Sequence, residues 1–497
     1  MSKENTSVTV EEVAAVGHGD PVLARKLRLI NDAIDEIGFT WYHFQLFCIA
    51  GYGYAVDSQL ELIQSSVHSY VALQFGADYP TDTQTTYVGY VLGALFWGFG
   101  GDLIGRKLAF NTSLILAALL GFATGGMNSF ATYCIFNALA NFCAGGNLVM
   151  DVTVFMEYVP FKWQFLNTMM AMWWGIGQTV NNLVCWGFLP NYSSGWRYVW
   201  YTNSGIILFC GLLRLFVLRL DETPKFLVST GRDDEAVQAL QRIARKYKRP
   251  CSLTLDQLQA CGELCSDYYS PQQGWQPAKM LAAVKEHVRI LYQNKVVAYS
   301  TTSLMLSYLL VGFSSSIFYN FLYIYIQSHG GNTAAPSHIV YRNSTLSYMT
   351  AIFGPIFSAV LVRAFGRRYT MLFGGVATMA IMFGYTTVRT PTGDAGFSSA
   401  TNFFMNVYYG CLYAYATEIF PAQARGTGMG LASVLGAIGG ALSPVAYHFG
   451  ESSGTSVPIW LAGALFGVLG ILAAFYPFEP SGKGLNLVRL GNRSEVI

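Results

Sequence analysis

Charge is what this chain has least of. Only 12% of its 497 residues are Asp, Glu, Lys or Arg, against 53% hydrophobic and 15% aromatic, and the mean hydropathy is +0.35. A soluble enzyme of this length cannot be built from so apolar a composition, which belongs to a polytopic membrane protein. The net charge of +2 is not gathered into a basic face, so nucleic acid is not an expected partner. A cleavable leader is not expected either. Met1 to Arg28 is polar and charged and the first apolar run begins near Phe44, so the first span is expected to act as its own insertion signal. Cysteine gives no framework. Cys48, Cys134, Cys143, Cys185, Cys210 and Cys411 lie in apolar runs, where a thiol acts as a small hydrophobe. Cys261 and Cys265 lack a second Cys or His pair, so no metal site is expected. There is no phosphate-cradling loop with its Lys, no His-Glu-x-x-His and no nucleophile elbow, so neither an enzyme nor a bound cofactor is expected.

What is there is a series of apolar runs. Twelve have spanning length, at roughly 44–67, 86–104, 108–128, 131–158, 167–189, 197–219, 297–327, 345–364, 370–388, 397–417, 427–449 and 457–477. The pattern predicts an all-α membrane protein of twelve transmembrane helices. The one long polar interruption, 221–294, divides it into six-helix halves at 44–220 and 295–477, with terminal segments at 1–43 and 478–497. Lys and Arg set the orientation. Arg106, Lys107, Lys162, Arg363, Arg367, Arg368 and Arg425 share one side with the basic residues of 221–294, while the other side has only Arg197, Arg342 and Arg389. The positive-inside rule puts both termini and the central segment in the cytoplasm, and the plasma membrane is the expected location. Asp233 to Lys248 has helical spacing with Val237, Leu240 and Ile243 on one side, which predicts a short amphipathic helix against the cytoplasmic face or a solvated charged linker. Asn191-Tyr192-Ser193 and Asn343-Ser344-Thr345 are glycosylation tripeptides on the predicted outer side, but Asn111-Thr112-Ser113 and Asn492-Arg493-Ser494 match equally well on the other.

The halves are related by duplication. Arg106 and Arg367 are 261 residues apart, as are Glu157 and Glu418, and Pro160 and Pro421. Arg106, Glu157, Arg367 and Glu418, charges repeated at this spacing at helix ends, predict together with Asp102 and Arg425 a cytoplasmic gate of ion pairs, set against independent surface pairs worth under about 1 kcal/mol each.

Gly101-Asp102-Leu103-Ile104-Gly105-Arg106-Lys107 resembles the loop between the second and third helices of the major facilitator superfamily, and Gly366-Arg367-Arg368 resembles its counterpart in the second half. Glu222-Thr223-Pro224-Lys225-Phe226-Leu227, Glu418-Ile419-Phe420-Pro421, Arg425-Gly426-Thr427-Gly428 and Pro477-Phe478-Glu479-Pro480 with Gly482-Lys483-Gly484 are similar to the sugar-porter branch. Gly51-Tyr52-Gly53-Tyr54-Ala55-Val56-Asp57, Gly145-Gly146-Asn147-Leu148-Val149-Met150-Asp151 and Trp173-Trp174-Gly175-Ile176-Gly177-Gln178 resemble the fungal branch with synaptic-vesicle-glycoprotein-2-like and nicotinate-transporter-like members. The resemblance implies two pseudo-symmetric halves that rock about a central site, with a substrate-contacting amide at Gln178. Two positions depart from it: Met150 stands where these relatives usually have Pro, and Gly436-Ala437 where many have Asn-Arg.

Acids within spans are costly and rare, so each is a candidate. Asp57 and Glu61 lie one helical turn apart, where two carboxylates repel and at least one is favoured to hold a proton; Asp151 is the third, with Asn147 one turn earlier as the structural alternative's partner. These are the candidates for proton coupling. For the solute the candidates are the amides Asn147, Gln178, Asn181, Asn320 and Asn406 and the rings Tyr319 and Tyr409, weighed against interhelical glue and packing. Arg214 is expected to reach the membrane boundary along its stem. Together these predict a monomeric, proton-driven secondary transporter of a small neutral, zwitterionic or cationic solute, with protons and lipid as its other partners. A sugar/proton symporter and a non-transporting nutrient sensor are the rival readings.

Overall fold

The computed structural model describes residues 21–76, 81–103, 105–218, 220–264, 277–329, 337–388, 390–421, 424–453, 456–477 and 479. Of the tail expected at 478–497 only Glu479 falls within them, and the Asn492 tripeptide lies outside, as do residues 1–20. The α-helices among the described residues are α1 (Pro21–Ile37), α2 (Trp41–Phe75), α3 (Thr81–Leu103), α4 (Arg106–Gly126), α5 (Phe130–Tyr158), α6 (Phe165–Met169), α7 (Met172–Phe188), α8 (Gly195–Leu213), α9 (Pro224–Ser229), α10 (Asp233–Tyr247), α11 (Leu255–Gln259), α12 (Pro277–Ile290), α13 (Lys295–His329), α14 (Ser337–Phe365), α15 (Arg367–Tyr385), α16 (Pro391–Ile419), α17 (Arg425–Ser453) and α18 (Val457–Ala474). Twelve form the membrane bundle: α2 to α5, α7 and α8, then α13 to α18. Seven of these are long and apolar enough to cross a membrane on length and composition alone. Of the other five, α7 is too short at 17 residues, while α2, α3, α15 and α16 carry buried polar side chains such as Asp57, Thr86, Thr378 and Asn406.

The duplication is visible in the packing. In the first half α2 lies against α7 and α8, α3 against α5, and α4 against α5 and α8. In the second half the equivalent helices repeat all five pairings: α13 with α17 and α18, α14 with α16, α15 with α16 and α18. The halves then meet along two matching lines, α3 with α17 and α7 with α14. Lipid-like surroundings give no hydrophobic drive for helices to associate, so close backbone approach does the work. A Cβ on Gly98 of α3 would meet the Gly426 carbonyl at 2.9 Å and Gly430 Cα at 3.0 Å on α17, so this line exists only because small residues face each other across it.

Outside the bundle α10 forms where helical spacing predicts it, and its apolar side is covered by protein: Val237, Leu240 and Ala244 are buried in a core with Leu23, Leu27, Ile30, Ile34 and Ile37 of α1, and Leu227, Leu253 and Leu258 complete it. The polar rim is fastened by Lys26 to Asp233 at 2.5 Å. The terminal segment read as merely polar thus contains the helix that covers α10.

Candidate functional site

At the Arg-rich end two glycines begin the third helix of each half in conformations an L side chain resists, Gly105 at φ 121° and Gly366 at φ 83°. Neither can cap its helix with a side chain. Glu222 does so for α4, accepting from Arg106 N–H at 2.9 Å and Lys107 N–H at 3.2 Å. Glu479 does so for α15, accepting from Arg367 N–H at 2.8 Å and Arg368 N–H at 3.1 Å. An anion on the first turn satisfies orphan donors and the helix dipole together. These two glutamates were not among the expected gate residues, although each follows the last helix of its half.

The expected charges do assemble here, and their partners sort into two kinds. Arg106 with Glu157, and Arg367 with Glu418 at 2.7 Å, pair within one half. They therefore hold each half together and do not themselves bridge the halves, as duplicated spacing had suggested. The bridges are others. Arg425 reaches Glu157 at 3.5 Å, Arg367 donates to Thr168, and Asn167 donates to Thr417 at 2.7 Å. Asp102 caps α17 from across the seam, accepting from Gly426 N–H at 3.1 Å, Thr427 N–H at 2.6 Å and the Thr427 hydroxyl at 2.9 Å. At the positions 261 residues along, Arg363 stacks on Phe165 at 3.7 Å, so one crossing contact is written twice in different chemistry. The Arg-rich end is closed.

His287 of α12 covers this end, its Nδ1 3.3 Å from the Thr427 hydroxyl. Burial holds its imidazole below the ordinary value near 6.5, with Asp102 and Glu286 pulling up and Arg106 pushing down. A base whose folded value is lowered stabilises docking above the unfolded value and loses it as pH falls through that value. A spin label on α12 should therefore gain mobility as the pH falls below about 6.5, and His287→Gln should remove the dependence.

Deeper in the bundle α2 presents Gly53, Asp57 and Glu61 at one-turn intervals. Asp57 is buried; its Oδ2 accepts from the Trp174 indole N–H at 3.0 Å, and the Tyr90 side chain lies beside the same carboxyl. Oδ1 is buried with no hydrogen-bond partner among the described residues. Around it rings from both halves meet edge to face: Trp174 lies 5.4 Å from Tyr409 and 5.9 Å from Tyr413, and Tyr308 lies 5.3 Å from Tyr413. Tyr54 closes the cluster, 6.0 Å from Tyr413. Glu61 accepts from the Tyr87 hydroxyl at 3.2 Å, and that hydroxyl also meets Ser316 of the other half at 3.1 Å.

The solute candidates divide. Gln178 lies beside the Tyr319 side chain across the seam, and the Tyr319 hydroxyl donates to Asn402 at 2.6 Å. Asn406 donates to the Asn402 carbonyl of its own helix at 2.9 Å. Asn147 and Asn181 do not reach the seam: Asn147 accepts from Ser113 at 2.8 Å and Asn181 from Asn203 at 3.1 Å, both inside the first half. The Asn320 side chain lies outside the described residues.

Arg214 is the largest departure. It does not reach the boundary but is fully buried, 3.0 Å from Asp151, with its guanidinium 3.7 Å over the Phe110 ring and bonded to the Phe110 carbonyl. Asp151 is therefore ion-paired, and Asn147 is not its partner. Gly53 makes room for this pair, since a methyl group there would overlap both the guanidinium and the carboxylate. Gly53→Ala should cost about 1–3 kcal/mol by overpacking, seen as a lower melting temperature of the purified protein. Trp174, Tyr90, Tyr54 and Tyr413 were not singled out because aromatic residues are frequent in every span; Arg214 had a signal, since a base in a span needs an acid and Asp151 was available.

A sequence family described as Major Facilitator Superfamily matches residues 61–444, with a second match over 304–491. The "MFS siderochrome iron transporter 1" of Ceriporiopsis subvermispora is 34% identical over 94% of this chain and 93% of its own. The "Major facilitator-type transporter hxnZ" of Emericella nidulans is 31% identical over 92% of this chain and 87% of its own. Among solved structures, the proton:xylose symporter XylE bound to 6-bromo-6-deoxy-D-glucose superposes with a TM-score of 0.68 at 16% identity, covering 90% of this chain and 98% of that one.

Proposed function

The chain belongs to the major facilitator superfamily, and from that premise we propose that it is a proton-coupled secondary transporter of a small organic solute carrying a cationic or zwitterionic group. One observation carries the reading: a buried carboxylate, Asp57, lies at the seam inside a cluster of rings supplied by both halves. Ring faces attract a cation, and a buried carboxylate beside them is a site that gains and loses a proton. Asp57 takes the proton, the ring faces beside it hold the solute's positive group in the same state, Trp174 and Tyr90 hold the carboxyl in place, and Gln178, Tyr319 and Tyr409 contact the solute. Glu61 extends the proton path toward the opposite end. Asp151, paired with Arg214, positions α2 through Gly53 and takes no proton in the cycle. The Arg-rich end faces the cytoplasm of a plasma-membrane monomer, as the positive-inside rule assigns it. The named coupling of the xylose symporter, a relative in fold, is in keeping with the proton arm.

The test is uptake into proteoliposomes under an inward proton gradient, with a quaternary ammonium, a zwitterionic amino acid, a pyridine monocarboxylate and a hexose. The expected result is accumulation of the ammonium or the amino acid, with Trp174→Phe weakening apparent affinity about tenfold through the lost bond to a charged group. Binding without flux would support the sensor reading instead, and uptake of the hexose alone the sugar reading.

A further inference from the structure

The layer formed by α1, α9, α10 and α11 has no part in the solute site, yet it is built with one replaceable fastener. Ser252 is exposed, and both its backbone N–H and its hydroxyl donate to Glu36 Oε2, each at 2.8 Å. Glu36 is the penultimate residue of α1, and these two bonds hold its carboxylate below the usual glutamate range. One residue earlier, Asp35 accepts from Phe161 N–H at 2.7 Å, which ties α1 to the connection leading into α6. α6 in turn supplies Asn167 and Thr168, which bridge the halves.

Upstream of Ser252 the chain reads Arg245-Lys246-Tyr247-Lys248-Arg249-Pro250-Cys251. α10 ends at Lys248 in a left-handed turn, φ 53°, and Arg245, Lys246, Lys248 and Arg249 are all exposed. An exposed hydroxyl three residues after an arginine and four after a lysine, on a non-helical stretch opened by proline, matches the acidic substrate groove of a base-directed serine kinase by charge and by shape.

We propose that Ser252 is a phosphorylation site for a base-directed protein kinase, and that the phosphate releases α1 by displacing Glu36. Ser252 Oγ attacks the γ-phosphorus of ATP, the bond from that phosphorus to the ADP oxygen breaks, and the hydroxyl proton leaves to the kinase's base. The product carries about −1.5 to −2 charge and no hydroxyl donor where a carboxylate accepted one. Glu36 then faces a like charge, and α1 loses the fastener at its end nearest α2. Through Asp35 the same release loosens the chain that brings Asn167 and Thr168 to the seam, so phosphorylation favours opening of the Arg-rich end.

In the cell this requires the Arg-rich face on the ATP side and so rests on the orientation above. The test uses purified full-length protein in detergent, where both faces are accessible and orientation has no bearing. The protein is treated with ATP and the catalytic subunit of a cyclic-AMP-dependent kinase, phosphosites are mapped by mass spectrometry, and amide exchange of residues 21–37 is followed. The expected result is phosphate on Ser252, its loss in Ser252→Ala and retention in Ser252→Thr, and α1 exchange about tenfold faster after phosphorylation. Glu36→Ala should loosen α1 to a similar degree without kinase, which separates the fastener from the modification. No phosphate on Ser252 of the folded wild type, or phosphate there with α1 exchange unchanged, overturns the proposal.

Discussion

Proteoliposomes carrying Asp57→Asn should equilibrate the solute and fail to concentrate it. With one proton moved per neutral solute, a gradient of one pH unit drives up to about tenfold accumulation in the wild type, and the variant should show none. The amide keeps an oxygen able to accept the Trp174 N–H at the position of Oδ2, so the seam should remain folded while the exchangeable proton is lost. The contrast is Asp151→Asn. Its carboxylate neutralises a fully buried guanidinium, and removing one partner of a buried pair costs about 3–5 kcal/mol, so that variant should fail first in folding and expression. If both variants express well and lose only accumulation, the division of labour drawn here between the two acids is wrong.

Arg425→Met should open the Arg-rich end while leaving the halves folded, whereas Arg106→Met should destabilise the protein in every conformation. The difference follows from where each bond runs. Glu157 keeps its pairing with Arg106 inside the first half when Arg425 is removed, and what is lost is the bond crossing from the second half. A hydrogen bond between charged groups contributes about 1.5–3 kcal/mol, which shifts a two-state balance tenfold or more. Spin labels at the ends of α3 and α17 read that shift as a longer distance population, and thermal unfolding reads the Arg106 effect. An unchanged distance distribution in Arg425→Met would remove Glu157 from the gate.

The bundle was legible because hydrophobic runs of spanning length and a 261-residue repeat are one-dimensional signals. Asp57 was legible for a similar reason: an acid in an apolar run carries a cost that needs an explanation. The gate was legible only in composition. Repetition marked Arg106, Glu157, Arg367 and Glu418, but which bonds stay inside a half depends on tertiary distance, and so the crossing role passed to Arg425, Asp102, Asn167 and Thr168. Asn147 and Asn181 looked equal to Gln178 because amide chemistry is the same on every face of a helix; rotation about α5 and α7 decides which of them meets the other half. Helix α1 was within reach. Leu23, Leu27, Ile30, Ile34 and Ile37 recur at three- and four-residue steps, a pattern overlooked in a segment read for its charge.

The measurement closest to the central claim is the luminal pH of proteoliposomes loaded with a pH-sensitive dye, with no gradient imposed, when a transported solute is added outside. Coupled entry should acidify the lumen in the wild type, in proportion to solute taken up, and leave it unchanged in Asp57→Asn. Solute entry without acidification in the wild type, or equal acidification in both, would contradict the account.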